Sequence, residues 1–313
     1  MATYHTPVMV EEVIRFLEPS PDRVYLDGTL GTGGHAEAVL KMSAPTGRVV
    51  GIDADSESLE IARKRLEPYG DRIVFAHARY EDARSILAGH GVQRVHGALL
   101  DLGISKVQLE MKGRGFSFSR EDPLDMRMDR TRGPSAAEIL ARMPEDGIVQ
   151  LFRTYGEERW AGRIARAIVE RRRTHGKVDS SLELADTIRS AVPARFRRAR
   201  IHPATRCFQA LRIEVNRELE ALDRFLGDLP DLLEAGGRCC ILSFHSLEDR
   251  MVKQRFRQLE QGAAGAETGG SADPHLQAGR FRRVCKKVLR PSREEILANP
   301  LSRSAKLRVL ERC

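Results

Sequence analysis

The sequence predicts an α/β fold in which a doubly wound parallel sheet is interrupted by a small helical insertion. Between residues 23 and 103, β-prone runs alternate with helical segments, which is the pattern of a parallel sheet with helices on both faces. A glycine-dense turn directly follows the first run. The alternation stops after Gly103 and resumes near residue 204. We therefore expect a discontinuous α/β domain (1–104 and 204–313) around an inserted helical domain (105–203).

Four short β-prone runs are predicted as parallel strands of the first half: residues 23–30, 48–53, 72–78 and 95–102. Helices are expected to fill the gaps between these strands, including residues 35–42 and 56–66. In the second of these helices, Leu59, Ala62 and Leu66 recur at the spacing of one helical face.

The insertion begins with a loop rich in Gly, Ser, Arg and Asp and continues as helices. Ser135 and Glu138 have the spacing of a capping box, which predicts a helix start at that point. Two stripes of residues at helical spacing predict a further helix. The apolar stripe consists of Trp160, Ile164 and Ile168, and the basic stripe consists of Arg159, Arg163 and Arg166. The apolar stripe is expected to face the core of the insertion.

After the insertion, the sequence again shows the strand and helix patterns of the α/β domain. The predicted elements are one long amphipathic helix over residues 205–226, a buried strand over 238–243, a helix over 247–259, and a closing strand pair over 282–289 and 306–310. Residues 261–280 are rich in Gly and Ala and are predicted as a loop.

The amino-acid composition argues against a membrane-spanning or a secreted protein. The chain has 313 residues, 41% of them hydrophobic, and no apolar run approaches the roughly 18 residues of a membrane span. The first 18 residues lack the pattern of a signal peptide. The five cysteines have no metal-binding spacing, so no metal site is predicted, and unpaired thiols fit a reducing cytoplasm.

The positive charge is concentrated in the insertion. The chain carries a formal net charge of +8, and residues 104–205 hold 21 Lys and Arg against 14 Asp and Glu. Such an excess fits a surface that binds a polyanion, because phosphate neutralisation supplies most non-specific affinity for nucleic acids. A solvated, arginine-rich surface is the alternative interpretation.

The glycine turn indicates which ligand the sheet binds. A dinucleotide fingerprint reads G-x-G-x-x-G, whereas this chain has Asp27 four residues before Gly31, followed by Gly33 and Gly34. A carboxylate there would repel a pyrophosphate and suits a ligand with a cationic ammonium, such as S-adenosylmethionine. Asp53, at the end of the second strand, is placed to accept ribose hydroxyls, which both cofactor types offer. A structural turn without a ligand remains open.

Asp101 marks the reacting end of the predicted pocket. An exocyclic amine of a nucleobase is a poor nucleophile, and a carboxylate together with the carbonyl of Leu102 could accept its hydrogens. Alternatively, Asp101 binds the methionine part of the cofactor or only caps the next turn. Phe116 and Phe118 lie in a basic loop and could stack on an extruded base, with core packing expected for at least one ring.

A Ser, His and Asp set follows the strand at 238–243 and raises the question of a hydrolase. No G-x-S-x-G elbow accompanies it, which argues against hydrolysis. We expect the hydroxyl of Ser246 to cap the next helix and consider His245 as a residue that lines the pocket.

Matching segments run almost from end to end of the chain and resemble one family, the bacterial ribosomal RNA small subunit methyltransferase H family, also called MraW. They include residues 5–9, 27–35, 99–108, 114–118, 123–129, 155–158, 202–206, 208–213, 243–250 and 302–308. The resemblance implies a class I S-adenosylmethionine-dependent methyltransferase sheet with an inserted helical domain. It also implies methyl transfer to N4 of a decoding-centre cytidine of 16S rRNA.

The resemblance further implies where the cofactor is held: Gly33, Gly34, His35, Asp53, Tyr80, Asp101 and Gln108. Tyr80 stands where the family usually has Phe, and Lys106-Val107 replaces the usual Ser-Pro before Gln108, which alters the local loop. The implied partner is 16S rRNA or the small ribosomal subunit in the cytoplasm, rather than DNA or a membrane, and a homodimer remains open.

Two alternatives to a methyltransferase are considered. A nicotinamide oxidoreductase is disfavoured by the position of Asp27. A non-catalytic ribosome-assembly factor would use the basic insertion alone. RNA contacts are expected from Arg163 and Arg166, together with Phe116, Phe118 and His245.

Overall fold

A computed structural model describes residues 7–197, 202–262 and 280–313. The chain divides into two compact units. An α/β unit consists of Met1–Gly103 together with Leu219–Cys313, and a helical unit consists of Ile104–Glu218. Each unit has a hydrophobic core of its own.

The α/β unit is built on one sheet. Its strands among the described residues are β1 (Val24–Asp27), β2 (Arg48–Asp53), β3 (Ile73–His77), β4 (Val95–Asp101), β5 (Leu233–Ser243), β6 (Phe281–Arg283) and β7 (Lys306–Arg312), in the spatial order β3-β2-β1-β4-β5-β7-β6. Neighbours among β1 to β5 are parallel, whereas β7 is antiparallel to both β5 and β6. The chain reverses its direction of growth at β1, which creates a switch point between β1 and β4.

The helices, in chain order, are α1 (Val10–Leu17), α2 (Gly34–Met42), α3 (Ser56–Leu66), α4 (Ala83–Gly89), α5 (Lys106–Glu110), α6 (Ala136–Arg142), α7 (Glu145–Thr154), α8 (Ala161–His175), α9 (Ser181–Ala191), α10 (Ala204–Asn216), α11 (Glu218–Leu232), α12 (Ser246–Gln261) and α13 (Arg293–Ala298). Within the described ranges, no helix is both long enough and apolar enough to span a membrane.

Both faces of the sheet are buried. In β4, Ala98 and Leu100 belong to one core cluster, whereas Leu99 belongs to a second cluster. Successive side chains of a strand point to opposite faces, so the sheet separates two cores. A strand covered on both faces needs apolar residues at consecutive positions, which explains the unbroken Ala98–Leu99–Leu100 run.

The first four predicted strands are present, although β1 ends at Asp27 instead of residue 30, and the helix predicted over residues 56–66 matches α3. The single helix predicted over residues 205–226 is wrong. Arg217 has a φ of 48°, in the left-handed region that ends a helix, and the chain therefore forms α10 and α11 instead. The apolar residues keep their helical spacing across this break, so the amphipathic pattern predicted one continuous helix.

The second boundary of the insertion also differs from the prediction. We expected the α/β domain to resume at residue 204, but the helical unit extends to Glu218. The reason is the packing of α10: Cys207, Phe208 and Leu211 lie in the core of the helical unit. Only after the turn at Arg217 does the chain rejoin the α/β unit.

Helices α5 to α10 form the helical unit. The capping box predicted at Ser135 and Glu138 is present at the start of α6. Ile164 and Ile168 are fully buried and Trp160 packs against the same core, which confirms the predicted apolar face of α8. The predicted loop over 261–280 falls largely on residues outside the described ranges.

Asn216 fastens an irregular segment of the helical unit to α10. Its Nδ2 donates to the carbonyl oxygens of Met126 (2.8 Å) and Arg212 (2.9 Å), and its Oδ1 accepts from the backbone N–H of Met128 (2.8 Å). We expect Asn216→Ala to lower the free energy of unfolding of this unit by about 1–3 kcal/mol, because buried backbone groups lose their partners. Urea unfolding followed by Trp160 fluorescence measures the change. The neighbouring Glu214→Ala is the control, and equal losses in both variants would contradict this role.

Candidate functional site

Three carboxyl groups lie at the ends of three adjacent parallel strands. Asp27 ends β1, Asp53 ends β2 and Asp101 ends β4, and β1 lies between the other two strands. Because parallel strands present their carboxyl ends at one edge, the structure brings together the three acidic residues that the sequence analysis had singled out.

The glycine turn after β1 is tied to the end of β2. The N–H of Gly31 donates to Asp53 Oδ2 at 2.6 Å, and Gly31 has a φ of 52°. Gly33, the N-cap of α2, has a φ of 82°, and a Cβ added there would lie 2.9 Å from Leu66 Cδ1. Glycine is therefore required at position 33 by both its backbone conformation and its close approach to α3.

Asp27 is a buried carboxyl group without an ion-pair partner among the described residues. Its Oδ1 accepts a long hydrogen bond from the N–H of Thr29 (3.3 Å), while its Oδ2 is buried without a hydrogen-bond partner among the described residues. Burial raises the pKa of Asp27 to about 7, with the charge of Asp53 adding to the rise. Such a group fits a site that receives a cation.

Asp101 also has one carboxylate oxygen without a partner among the residues that the structure describes, although its side chain as a whole is 24% exposed. Its Oδ1 is buried and has no hydrogen-bond partner in the described ranges. Burial raises the pKa of Asp101 to about 8, with further contributions from the charges of Asp27 and Glu248. The backbone is held firmly at this point, because the N–H of Asp101 donates to Thr29 Oγ1 at 2.6 Å. Thr29 therefore links the turn after β1 to the end of β4.

His35 connects Asp101 to the N-terminal segment. The buried ring of His35 places Nε2 2.9 Å from the carbonyl oxygen of Val8 and Nδ1 3.7 Å from Asp101 Oδ2. The next residue, Met9, has a φ of 52°, and its N–H donates to Glu295 Oε1 at 2.6 Å. Pro7, Val8 and Met9 thus form a strap beside the glycine turn, held by His35 and Glu295.

Asp53 and Tyr80 occupy the second-strand side of the site. Asp53 Oδ2 accepts from Gly31 and Oδ1 accepts from the N–H of Asp55 (2.8 Å), yet burial raises the pKa of Asp53 to about 6. Each carboxylate oxygen retains a second lone pair for a ligand hydroxyl. The ring of Tyr80 packs edge-on against Phe225, with 5.9 Å between the ring centroids. The contact with the buried Phe225 ring therefore holds the Tyr80 ring in place.

Gln108, Phe116 and Phe118 belong to the helical unit. Gln108 forms a capping box with Ser105, in which its Oε1 accepts from the Ser105 N–H at 3.0 Å. Phe116 is 6% exposed and lies in the core. Phe118 is partly exposed and stacks on the His202 ring, 4.7 Å between centroids.

The other candidates for substrate contacts are divided between the two units. In the helical unit, Arg163 and Arg166 are exposed on α8, and Arg166 Nε lies 3.8 Å from Glu145 Oε1. In the α/β unit, the prediction that Ser246 caps α12 is wrong. His245 is the cap, since its Nδ1 accepts from the N–H of Glu248 and the Glu248 carboxylate bonds back to the His245 N–H. The side-chain acceptor that caps α12 is therefore the imidazole nitrogen of His245 and not the expected hydroxyl oxygen of Ser246.

Sequence reasoning missed Thr29 and Glu295. Thr29 stands inside the glycine turn as an ordinary polar residue, and its bond to the Asp101 backbone joins residues 72 positions apart. Glu295 contacts a residue 286 positions away. A weak signal was available only for Thr29, because a hydroxyl in a turn beside a strand edge commonly bonds to backbone.

The sheet order and the edge of carboxyl groups define a class I S-adenosylmethionine-dependent methyltransferase. The model of the MraW methylase family matches residues 2–313, and the chain belongs to that family. It is similar to the ribosomal RNA small subunit methyltransferase H of Pelobacter propionicus, with 47% identity covering 98% of both chains. That of Syntrophus aciditrophicus is 46% identical over 99% of this chain and 98% of the relative. Among solved structures, an rRNA methylase from Streptococcus thermophilus has a TM-score of 0.37 and 13% identity, covering 97% of this chain and 93% of that one.

The residues at the strand edge fit the cofactor of this class, S-adenosylmethionine. That molecule carries a sulfonium and an ammonium, and no phosphate. Asp27 and Asp101 offer buried carboxylate oxygens without hydrogen-bond partners in the described ranges, and both groups titrate far above their ordinary range. A bound cation would relieve the cost of ionising them.

Proposed function

We propose that this protein methylates N4 of a decoding-centre cytidine in 16S rRNA. The observation that carries the proposal is that Asp27 and Asp101, at the switch point of the sheet, each have one buried carboxylate oxygen without a hydrogen-bond partner among the described residues. This pair suits a cationic methyl donor. The name that the relatives carry, ribosomal RNA small subunit methyltransferase H, supports rRNA as the acceptor.

The proposed cofactor contacts follow from the strand edge. Asp53 accepts the ribose hydroxyls, and Tyr80 lies beside the adenine. Gly33 is the N-cap of α2 and Gly34 its first residue, and the positive end of the helix dipole at this point suits the methionine carboxylate. Asp27 faces the ammonium, and three further residues complete the proposed set: His35, Asp101 and Gln108. When bound, S-adenosylmethionine supplies an electrophilic methyl group on a positively charged sulfur.

Asp101 is also the proposed partner of the target amine. The N4 lone pair of cytidine is delocalised into the ring, and a carboxylate that accepts an N4 hydrogen bond localises it. The carbonyl of Leu102 is the second proposed acceptor. As the N–C bond forms, the nitrogen loses one proton, and the Asp101 carboxylate, ionised when the cationic cofactor is bound, is the proposed acceptor of that proton.

The proposed substrate contacts lie on both units. In the helical unit, Arg163 and Arg166 present exposed guanidinium groups on α8. Phe118 keeps part of its ring exposed, whereas the burial of Phe116 assigns that ring to the core, so base stacking is proposed for Phe118 alone. His245 is the proposed contact from the α/β unit. The helical unit is accordingly the proposed rRNA-recognition domain.

Mapping of modified nucleosides tests the proposal directly. Small subunits from cells that lack this protein are incubated with the purified protein and S-adenosylmethionine carrying a labelled methyl group. We expect one labelled N4-methylcytidine in a decoding-centre fragment by nuclease digestion and mass spectrometry. Label on a ribose oxygen or on a ring carbon would contradict the proposed acceptor. RNA binding without any methyl transfer would favour a non-catalytic assembly factor.

A further inference from the structure

Two arginines of the helical unit share one aromatic ring. The guanidinium carbon of Arg159 lies 4.1 Å from the centroid of the Phe196 ring, and that of Arg195 lies 4.8 Å from the same centroid. Arg159 also lies over Trp160, at 5.1 Å, and the Trp160 and Phe196 rings are 5.6 Å apart. These four residues form an arginine–aromatic cluster.

Within the described residues, no carboxylate pairs with the two arginines of this cluster, and the adjacent Glu158 carboxylate accepts from the backbone N–H of Trp160 at 2.8 Å. Arg159 and Arg195 are exposed, and neither forms an ion pair within the described part of the chain. Elsewhere in the unit, exposed arginines do find such partners: Arg173 lies 2.9 Å from Glu170, and Arg189 lies 2.7 Å from Asp186. Two guanidinium groups beside one ring repel each other, and an anion between them would remove that cost.

We propose that the arginine–aromatic cluster binds the phosphate backbone of a single-stranded segment of the RNA substrate. The proposal rests on the proposed function and adds to it a surface outside the contacts named above. A guanidinium that stacks on a ring uses its face and keeps its N–H edge for a phosphate. Stacking also holds the side chain in place beforehand, so less conformational entropy is lost on binding.

The aromatic members favour RNA over a merely acidic partner. Trp160 and Phe196 are both partly exposed, and unpaired bases stack on such rings. The indole Nε1 of Trp160 is buried without a hydrogen-bond partner among the described residues, so a small movement of this ring on binding would break no hydrogen bond. Phosphate contacts and base stacking together describe a single-strand site.

The cluster carries its own reporter, because Trp160 is the only tryptophan of the chain. A single-stranded RNA oligonucleotide from the target region is titrated into the full-length protein. We expect a saturable change in Trp160 emission, with the dissociation constant checked by anisotropy of end-labelled RNA. Arg159→Gln and Arg195→Gln should each weaken binding about tenfold. Each should also reduce the slope of log affinity against log salt by about 0.7.

Arg173→Gln and Arg189→Gln are the matched controls, since each removes one exposed positive charge from the same unit. We expect less than a twofold change in affinity for these controls. Equal losses in all four variants would show that only net charge matters and would overturn the proposal. Equal competition by polyglutamate would overturn it too, because it would identify a surface for any acidic chain.

Failure of the cluster and failure of the proposed activity are distinguishable. If wild-type protein methylates the small subunit while Arg159→Gln and Arg195→Gln bind RNA like wild type, the cluster is not the contact and the activity stands. If the variants lose RNA binding but the wild type transfers no methyl group, the result supports the proposed RNA-binding cluster and contradicts the proposed methyl-transfer reaction. In the methylation assay, the KM for RNA should rise more than kcat falls.

Discussion

Replacement of Asp101 by alanine is expected to abolish methyl transfer to the small-subunit rRNA while the protein remains folded. The side chain lies at the end of β4 with Oδ1 buried and without a hydrogen-bond partner in the described ranges, so few contacts of the folded protein depend on it. The backbone there is held by Thr29, which the substitution leaves in place. Loss of a group that accepts a proton from the reacting amine costs about 100- to 10,000-fold in rate.

Asp101→Asn separates the two functions proposed for this residue. An amide keeps a hydrogen-bond acceptor but cannot take up a proton or balance a cation. If Asp101 orients and deprotonates the amine, kcat should fall at saturating S-adenosylmethionine. If it only holds the cofactor, the dissociation constant should rise and kcat should recover at saturation. Calorimetric binding and single-turnover methylation measure the two quantities, with the exposed Asp82→Asn as control. If Asp101→Asn binds S-adenosylmethionine and methylates rRNA as well as the wild-type protein does, both proposed roles of Asp101 are contradicted.

The acidic edge could be predicted from sequence because it follows from a rule about neighbouring strands. A carboxylate at the end of each β-prone run, together with an alternating order of strands and helices, places Asp27, Asp53 and Asp101 at one edge. No long-range contact had to be known for this inference. The burial that changes the chemistry of these groups was not available from the pattern.

The features that sequence reasoning missed depend on contacts between distant residues or on one backbone torsion. The strap depends on contacts of Val8 with His35 and of Met9 with Glu295, and the second pair is 286 positions apart in the sequence. The break between α10 and α11 depends on the left-handed conformation of Arg217, a residue with no special preference for it. Apolar periodicity reports burial, and burial continues on both sides of that break.

The same acidic edge predicts a pH dependence of stability. The pKa of Asp27 is raised to about 7, that of Asp53 to about 6 and that of Asp101 to about 8, chiefly because of burial. Between about pH 4 and pH 8 the folded protein without cofactor therefore binds more protons than the unfolded chain. Its stability is expected to fall as the pH rises through this window, the reverse of the effect of a salt-bridged aspartate.

In the proposed site a cationic cofactor would bind the ionised forms of Asp27 and Asp101, so its binding should release protons. Between pH 5.5 and 7.5, the affinity for S-adenosylmethionine is expected to rise with pH, by up to about tenfold per unit for each carboxyl group that must ionise. Calorimetry at pH 7 in buffers of different ionisation enthalpy counts the protons, and on the order of one should leave per cofactor bound. Asp101→Asn should release fewer protons, because its amide cannot titrate. Binding that takes up protons, or that releases none in the wild-type protein, would show that Asp27 and Asp101 stay neutral and that the positive charges of the cofactor are balanced elsewhere.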